Sequence, residues 1–299
     1  MSRVAANGIE LEYQSLGDPA APTILLIMGL GMQLVSWPEA FCDALVARGF
    51  RVIRFDNRDS GLSTHIRARR RPGLLRTIVG SALGLPPRVP YTLADMADDS
   101  AGLLDALGIA RAHIVGASMG GMIAQLMAVR HPEKVLSLTS IMSSSGHPRL
   151  SRPKLHAMRA LLSRPAEPGN PDSVVEHLIG VFGVIGSPGF PIEREQLRRQ
   201  IAAGVGRAWH PAGTVNQLLA VIASGDRRRL LKRIDAPTLV LHGDADPLVP
   251  LAAGRDTARH IRGAQLQVIA GMGHDLAPGV QAILVDAIAR HCSAAASPT

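Results

Sequence analysis

The chain has 299 residues, 46% hydrophobic and 19% charged, which allows two small domains or one large α/β domain with an insertion and excludes global disorder. The net charge of +8 rests on 29 Arg against 3 Lys. The basic clusters (Arg69-Arg70-Arg71, Arg227-Arg228-Arg229) are short and aromatics make up only 3%, so neither a phosphate-tracking stripe nor stacking platforms support a nucleic-acid partner.

No run of 18 apolar residues could span a bilayer. Met1 to Gly8 lacks a signal-peptide core and leads into alternating Ile9, Leu11 and Tyr13, which predicts a first strand. Thr23 to Met28 is continuously apolar, as in a strand buried on both faces. A helix follows from Ser36 or Trp37 to Arg48, closed by Gly49, and Arg51 to Asp56 forms the next strand. Prolines at 72, 86, 87 and 90 break the rhythm around the apolar piece 74–85. Thr92 with Asp95 three residues on opens a helix that runs to Leu107. Then come a strand at 112–115, a helix to Arg130 stopped by His131-Pro132, and a strand at 135–142.

From His147 to Arg233 only helical patterns appear, near 151–163, 172–182, 192–207 and 212–224. The strand–helix alternation resumes with strand 238–242, helix 251–261, strand 265–270 and helix 279–291. The last seven residues read as frayed. Such alternation predicts a mostly parallel sheet flanked by helices. Residues 1–146 and 233–299 form its core, and 147–232 form an inserted helical cap.

The chemistry concentrates at Gly116-Ala117-Ser118-Met119-Gly120, placed between a strand and a helix. Small residues at 116 and 120 let strand and helix pass closely, and the turn lifts the Ser118 hydroxyl off the sheet edge. It also aims the Met119 N–H, at a helix N-terminus, toward a developing oxyanion. A serine needs a base, and the base an orienting acid, in chain order Ser, acid, His. Strand 238–242 runs into Gly243-Asp244-Ala245-Asp246-Pro247, offering Asp244 and Asp246. Strand 265–270 runs into Gly271-Met272-Gly273-His274-Asp275, where a glycine-rich loop lets His274 swing over the serine.

Together these stretches resemble the α/β-hydrolase superfamily. Ile27-Met28-Gly29, Asn57-Arg58-Asp59-Ser60-Gly61-Leu62-Ser63 and Gly271-Met272-Gly273-His274 resemble carboxylic-ester hydrolases of the aclacinomycin-methylesterase-like branch. The resemblance implies an eight-stranded, mostly parallel sheet. It implies Asp246 as the acid, because a Gly-x-x-Asp pattern followed by Pro maps onto Gly243 to Pro247. It also implies that Leu30 N–H, with Gly29 behind it, is the second oxyanion donor. The chain departs from the superfamily's common His-Gly by having Met28-Gly29, and has Asp59 where a glycine is usual. An elbow serine, in place of aspartate, argues against the dehalogenase and epoxide-hydrolase chemistry of relatives.

Other residues take plainer readings. His113 and His242 lie in or beside strands and are structural, and Asp56 and Asp59 bond within their own loop. Gly29-Leu30-Gly31 is not a dinucleotide fingerprint, because its sixth position is Leu34. No His, Cys and carboxylate cluster has zinc spacing, so no metal or cofactor is expected. Met119, Met122 and Met127 fill core, and Cys42 and Cys292 are buried thiols in a reducing cytoplasm. The apolar run 178–185 is expected to line an acyl pocket, and 74–85 to add a lid wall.

The expected activity is hydrolysis of small-molecule carboxylic esters with short- to medium-chain or otherwise apolar acyl groups, by a monomer or homodimer. The same triad also serves perhydrolases, thioesterases, lactonases, carbon–carbon hydrolases and acyltransferases. A ligand-binding or signalling protein can keep the scaffold without turnover.

Overall fold

The computed structural model describes residues 1–67, 72–73, 76–77, 79–80 and 89–296. Among them, eight strands form one sheet in the order β1-β2-β4-β3-β5-β6-β7-β8. These are β1 (Ser2–Ala6), β2 (Ile9–Leu16), β3 (Thr23–Ile27), β4 (Arg51–Phe55), β5 (Ala112–Ala117), β6 (Val135–Ile141), β7 (Thr238–Gly243) and β8 (Gln265–Ile269). The pairs β1–β2 and β2–β4 are antiparallel and every later pair is parallel.

The strand expected at Ile9 is therefore the second one. Asn7 and Gly8, with φ of 48° and 76°, turn β1 back onto β2. Two successive left-handed residues match the twist of a tight hairpin, and Asn-Gly adopts them with least strain.

Alternation along β3 divides the core in two, since successive side chains face opposite sides. Leu25 and Ile27 join Ile53, Phe55 and Ile114 beneath α2 (Leu93–Ala106) and α3 (Met119–Arg130). Ile24 and Leu26 join Val52, Val115 and Leu241 beneath α1 (Glu39–Val46) and the C-terminal helix (Pro278–Ala296). Met119 and Met127 are core, as read from sequence; Met122 is buried beside them. Cys42 and Cys292 are free thiols in the second core, where burial pushes them up to about 11 and about 12. The expected capping box forms: Thr92 Oγ1 accepts the Asp95 N–H, and Asp95 Oδ2 accepts the Thr92 N–H at 2.7 Å. The C-terminal helix continues to Ala296, so much of the tail expected to fray is helical.

Between β6 and β7 the described chain is helical: α4 (Leu155–Leu162), α5 (Pro171–Ile185), α6 (Arg194–Arg207), α7 (Pro211–Ser224) and α8 (Arg228–Leu231). After β7 come α9 (Leu251–His260) and then the C-terminal helix, α10. Helices α5 and α6 share a small core of Val175, Ile179 and Ile201, joined by Leu178 and Phe182. Three residues of the 178–185 run are thus engaged in packing between two inserted helices.

The roots of the insertion are tied together. The Arg227 N–H donates to the Ser145 carbonyl at 2.9 Å, and Arg227 Nη2 donates to the Ser144 carbonyl at 2.7 Å. Burial lowers the Arg227 guanidinium to about 10, still charged near neutrality. The expected lid wall at 74–85 and the cluster at 69–71 lie largely outside the described residues. Among the described residues, no helix is long and apolar enough to cross a membrane.

Candidate active site

β5 ends at Ala117 and α3 begins at Met119, leaving Ser118 alone at the turn with φ 57° and ψ −119°. A non-glycine residue in that region is strained, and the strain persists only where surroundings over-determine it. Here they do. The Ser118 N–H donates to the Ile141 carbonyl at 2.9 Å, and Ser143 Oγ donates to the Ser118 carbonyl at 2.7 Å.

The flanking glycines are required by close approach. A Cβ on Gly116 would lie 2.1 Å from the Gly120 carbonyl oxygen, and one on Gly120 would lie 2.0 Å from that of Ile27. Gly121 has a similar constraint, 2.6 Å from Ser143 Cβ. The pentapeptide alone does not reveal it.

The three residues singled out at strand ends come together. His274 Nε2 lies 2.9 Å from Ser118 Oγ, and His274 Nδ1 lies 2.7 Å from Asp246 Oδ2. A proton on Nδ1 faces the carboxylate, which leaves Nε2 to accept the Ser118 O–H. Asp246 Oδ1 accepts the N–H groups of Leu248 and Val249, both at 2.8 Å. Asp246 is 2% exposed, so the carboxylate has no freedom to turn away.

Asp244, two residues earlier, points elsewhere. It is exposed and its Oδ1 accepts the Gly271 N–H at 2.7 Å, bracing the start of the histidine loop.

His242 and His113 sit as the plainer readings expect. His242 is buried with Nε2 donating to the Val249 carbonyl at 2.8 Å, and burial lowers its pKa, keeping the ring neutral. His113 Nδ1 lies 2.8 Å from Ser137 Oγ. Asp59 does bond its loop, accepting the Ile66 N–H at 2.7 Å, but Oδ2 also accepts from Tyr91 and Asn216. Asp56 accepts the N–H groups of Leu34 and Leu62 and also Arg207 Nη1 of α6, at 2.7 Å. Desolvation raises the Asp56 carboxyl and these donors oppose it.

The turn after β3 lies against Ser118: a Cβ on Gly29 would be 3.7 Å from Ser118 Oγ. Neither Met119 nor Leu30 has a partner for its N–H among the described residues.

Two connections were not legible in the sequence. The His274 N–H donates to the Ile185 carbonyl at 2.7 Å, and Ser187 Oγ accepts the Gly273 N–H at 2.9 Å while donating to Asp275. On the other side, Gln217 of α7 reaches the turn after β3. Both join residues far apart in the chain, so no local pattern announces them.

Comparison with known proteins agrees with this architecture. A family described as "alpha/beta hydrolase fold" matches residues 22–174, and one described as "TAP-like protein" matches 209–295. Rhodomycin D methylesterases of Streptomyces peucetius (DnrP) and another Streptomyces (DauP) are 29% and 30% identical, over 98% of this chain and 98% of theirs. The crystal structure of an enol-lactonase from Burkholderia xenovorans shares the fold, with a TM-score of 0.74 and 24% identity, covering 98% of this chain and all of that one. Similarity along nearly the whole length, on this order of strands, makes the chain a member of the α/β-hydrolase family.

Proposed function

We propose that the protein is a serine hydrolase of carboxylic esters, with Ser118 as nucleophile, His274 as general base and Asp246 as the acid that orients it. The observation that carries this reading is the unbroken chain Ser118 Oγ–His274 Nε2–Nδ1–Asp246, at 2.9 and 2.7 Å, mounted on a turn with positive φ.

In the first half-reaction His274 Nε2 takes the Ser118 proton as Oγ attacks the ester carbonyl. The charge that develops on the carbonyl oxygen is met by the N–H groups of Met119 and Leu30, fixed dipoles that need no reorganisation. Asp246 keeps Nδ1 protonated and stabilises the imidazolium. His274 then gives its proton to the leaving alkoxide. Water, deprotonated by the same nitrogen, releases the acid from Ser118.

Residues 147–232 are the cap over this site, rooted at the Arg227 ties. The full-length similarity to methylesterases favours small alkoxy leaving groups on an apolar acid, which the notion of an acyl pocket under the cap accommodates. Turnover of p-nitrophenyl esters from acetate to palmitate, and of methyl esters of aromatic acids, tests the reading. Turnover is expected to vanish in Ser118→Ala. Activity that survives that substitution would overturn the mechanism.

A further inference from the structure

Several backbone polar atoms between Met28 and Leu34 are tied by hydrogen bonds. Asn57 Nδ2 donates to the Met28 carbonyl at 2.9 Å, and Ser60 Oγ donates to the Met32 carbonyl at 2.6 Å. The Met32 N–H donates to the Gly29 carbonyl at 3.2 Å, and the Leu34 N–H donates to Asp56 Oδ1 at 2.7 Å. Each of those partners belongs to this turn or to the loop after β4. One partner does not. The Gly31 N–H donates at 2.8 Å to Oε1 of Gln217, on helix α7 of the inserted region.

The Gln217 side chain is fully buried, and both ends of its amide are used: Nε2 donates to the Arg58 carbonyl at 2.8 Å. Flipping the amide would set donor against donor and acceptor against acceptor, so only one orientation is allowed. The turn is also pressed against the same helix. Gly31 has φ 69°, and a Cβ there would lie 2.8 Å from Thr214 Oγ1. Fixing the Gly31 N–H fixes the peptide that follows Leu30, and the Met32–Gly29 bond closes the turn around it. The Leu30 N–H, next to the Gly29 that lies against Ser118, has no hydrogen-bond partner among the described residues.

We infer that Gln217 is a positioning residue for oxyanion stabilisation, holding the turn so that the Leu30 N–H points at the tetrahedral oxygen. This rests on the reading of Leu30 as an oxyanion donor. The consequence is that the inserted helices complete the site chemically: when α7 is seated, the donor is aimed, and when it lifts, the Gly31 N–H loses its partner and the donor loses its direction. A donor misplaced by about 1 Å costs on the order of 10²-fold in rate.

The test uses the full chain with Gln217→Met, which keeps shape and removes both hydrogen bonds, and Gln217→Glu, which in its protonated form keeps an acceptor and a donor. The readouts are kcat and KM on p-nitrophenyl butyrate, and the affinity of an alkyl trifluoromethyl ketone, whose serine adduct places an oxyanion in the hole. Gln217→Met is expected to lower kcat about 10- to 100-fold and weaken the ketone by a similar factor, with KM changed less than about threefold. Gln217→Glu at pH 6 is expected to recover most of both losses. If Gln217→Met does not fold, Gln217→Asn, too short to reach both partners, takes its place. Ketone affinity and kcat that stay within about twofold of the wild type would overturn the inference. So would an equal loss in Gln217→Glu and Gln217→Met at pH 6. Ser118→Ala in the same assay separates the two readings: its inactivity beside an unaffected Gln217→Met rejects only the role of Gln217, whereas its retained activity rejects the proposed nucleophile.

Discussion

The main-chain N–H of His274 donates to the carbonyl of Ile185 at 2.7 Å, so the loop bearing the proposed base hangs from the last residue of α5. Ser187 adds to that attachment by accepting the Gly273 N–H and bonding the Asp275 carboxylate through both its N–H and its hydroxyl. The position of the imidazole thus depends on the inserted helices as well as on β8.

Ser187→Ala should expose that dependence. Both Ser187 and Asp275 are buried, so the substitution strands a carboxylate oxygen and the Gly273 N–H at a cost of about 1–3 kcal/mol. The expected result is a lower midpoint in urea together with a roughly 10-fold fall in kcat. A destabilised variant with wild-type kcat would show that the loop holds His274 unaided.

The two aspartates after β7 should separate by orders of magnitude. Asp246→Asn removes the charge facing His274 and favours the wrong tautomer, so kcat should drop about 10³- to 10⁴-fold with little change in fold. Asp244→Asn loses only an exposed brace to Gly271 and should stay within a few-fold. Steady-state kinetics on the same ester checks both. The reverse ranking would reassign the acid.

Two glycine substitutions with the same chemistry should have opposite signs. Gly120→Ala drives a Cβ to 2.0 Å from the Ile27 carbonyl oxygen, where only backbone can yield, and should cost several kcal/mol or abolish folding. Gly180→Ala, inside α5 with nothing within 4 Å, should stabilise by about 0.5–1 kcal/mol through helix propensity. Chemical denaturation measures each. A tolerated Gly120→Ala would mean the elbow is looser than its contacts imply.

Stability should fall on mild acidification because of His113. Burial, and next the charge of His291, push its pKa down to about 4. As pH falls, the unfolded chain, with histidine near its ordinary 6.5, takes up the proton before the folded one does. This group therefore leaves stability unchanged above pH 6.5 and erodes it by about 2–3 kcal/mol between pH 6.5 and 4. Unfolding free energies measured across that window should decline less steeply in His113→Asn. An identical slope would assign the effect to another group.

The sequence by itself determined the parts that depend on neighbours along the chain. The small residues around Ser118, the Thr92–Asp95 cap and the apolar run of β3 each impose a local backbone state or a burial pattern. Gly116 and Gly120 announce a tight strand-to-helix crossing because no side chain fits there. The order of serine, aspartate and histidine at strand ends was legible for the same reason. Asn7-Gly8 is also a hairpin signal, but a reading that starts the first strand at Ile9 passes over it, and β1 comes only with the structure.

Tertiary structure decided what depends on partners far apart. Asp244 and Asp246 are the same residue type two positions apart; in the fold, Asp246 is held by the Leu248 and Val249 N–H groups facing His274, while Asp244 turns to the Gly271 N–H. Gln217 lies 186 residues from Gly31, Arg207 lies 151 from Asp56, and Ser187 lies 88 from Asp275. Hydrogen bonds across such separations leave no periodicity to read, because what selects each residue is the unsatisfied buried atom opposite it, and that atom exists only once the inserted helices have settled on the sheet.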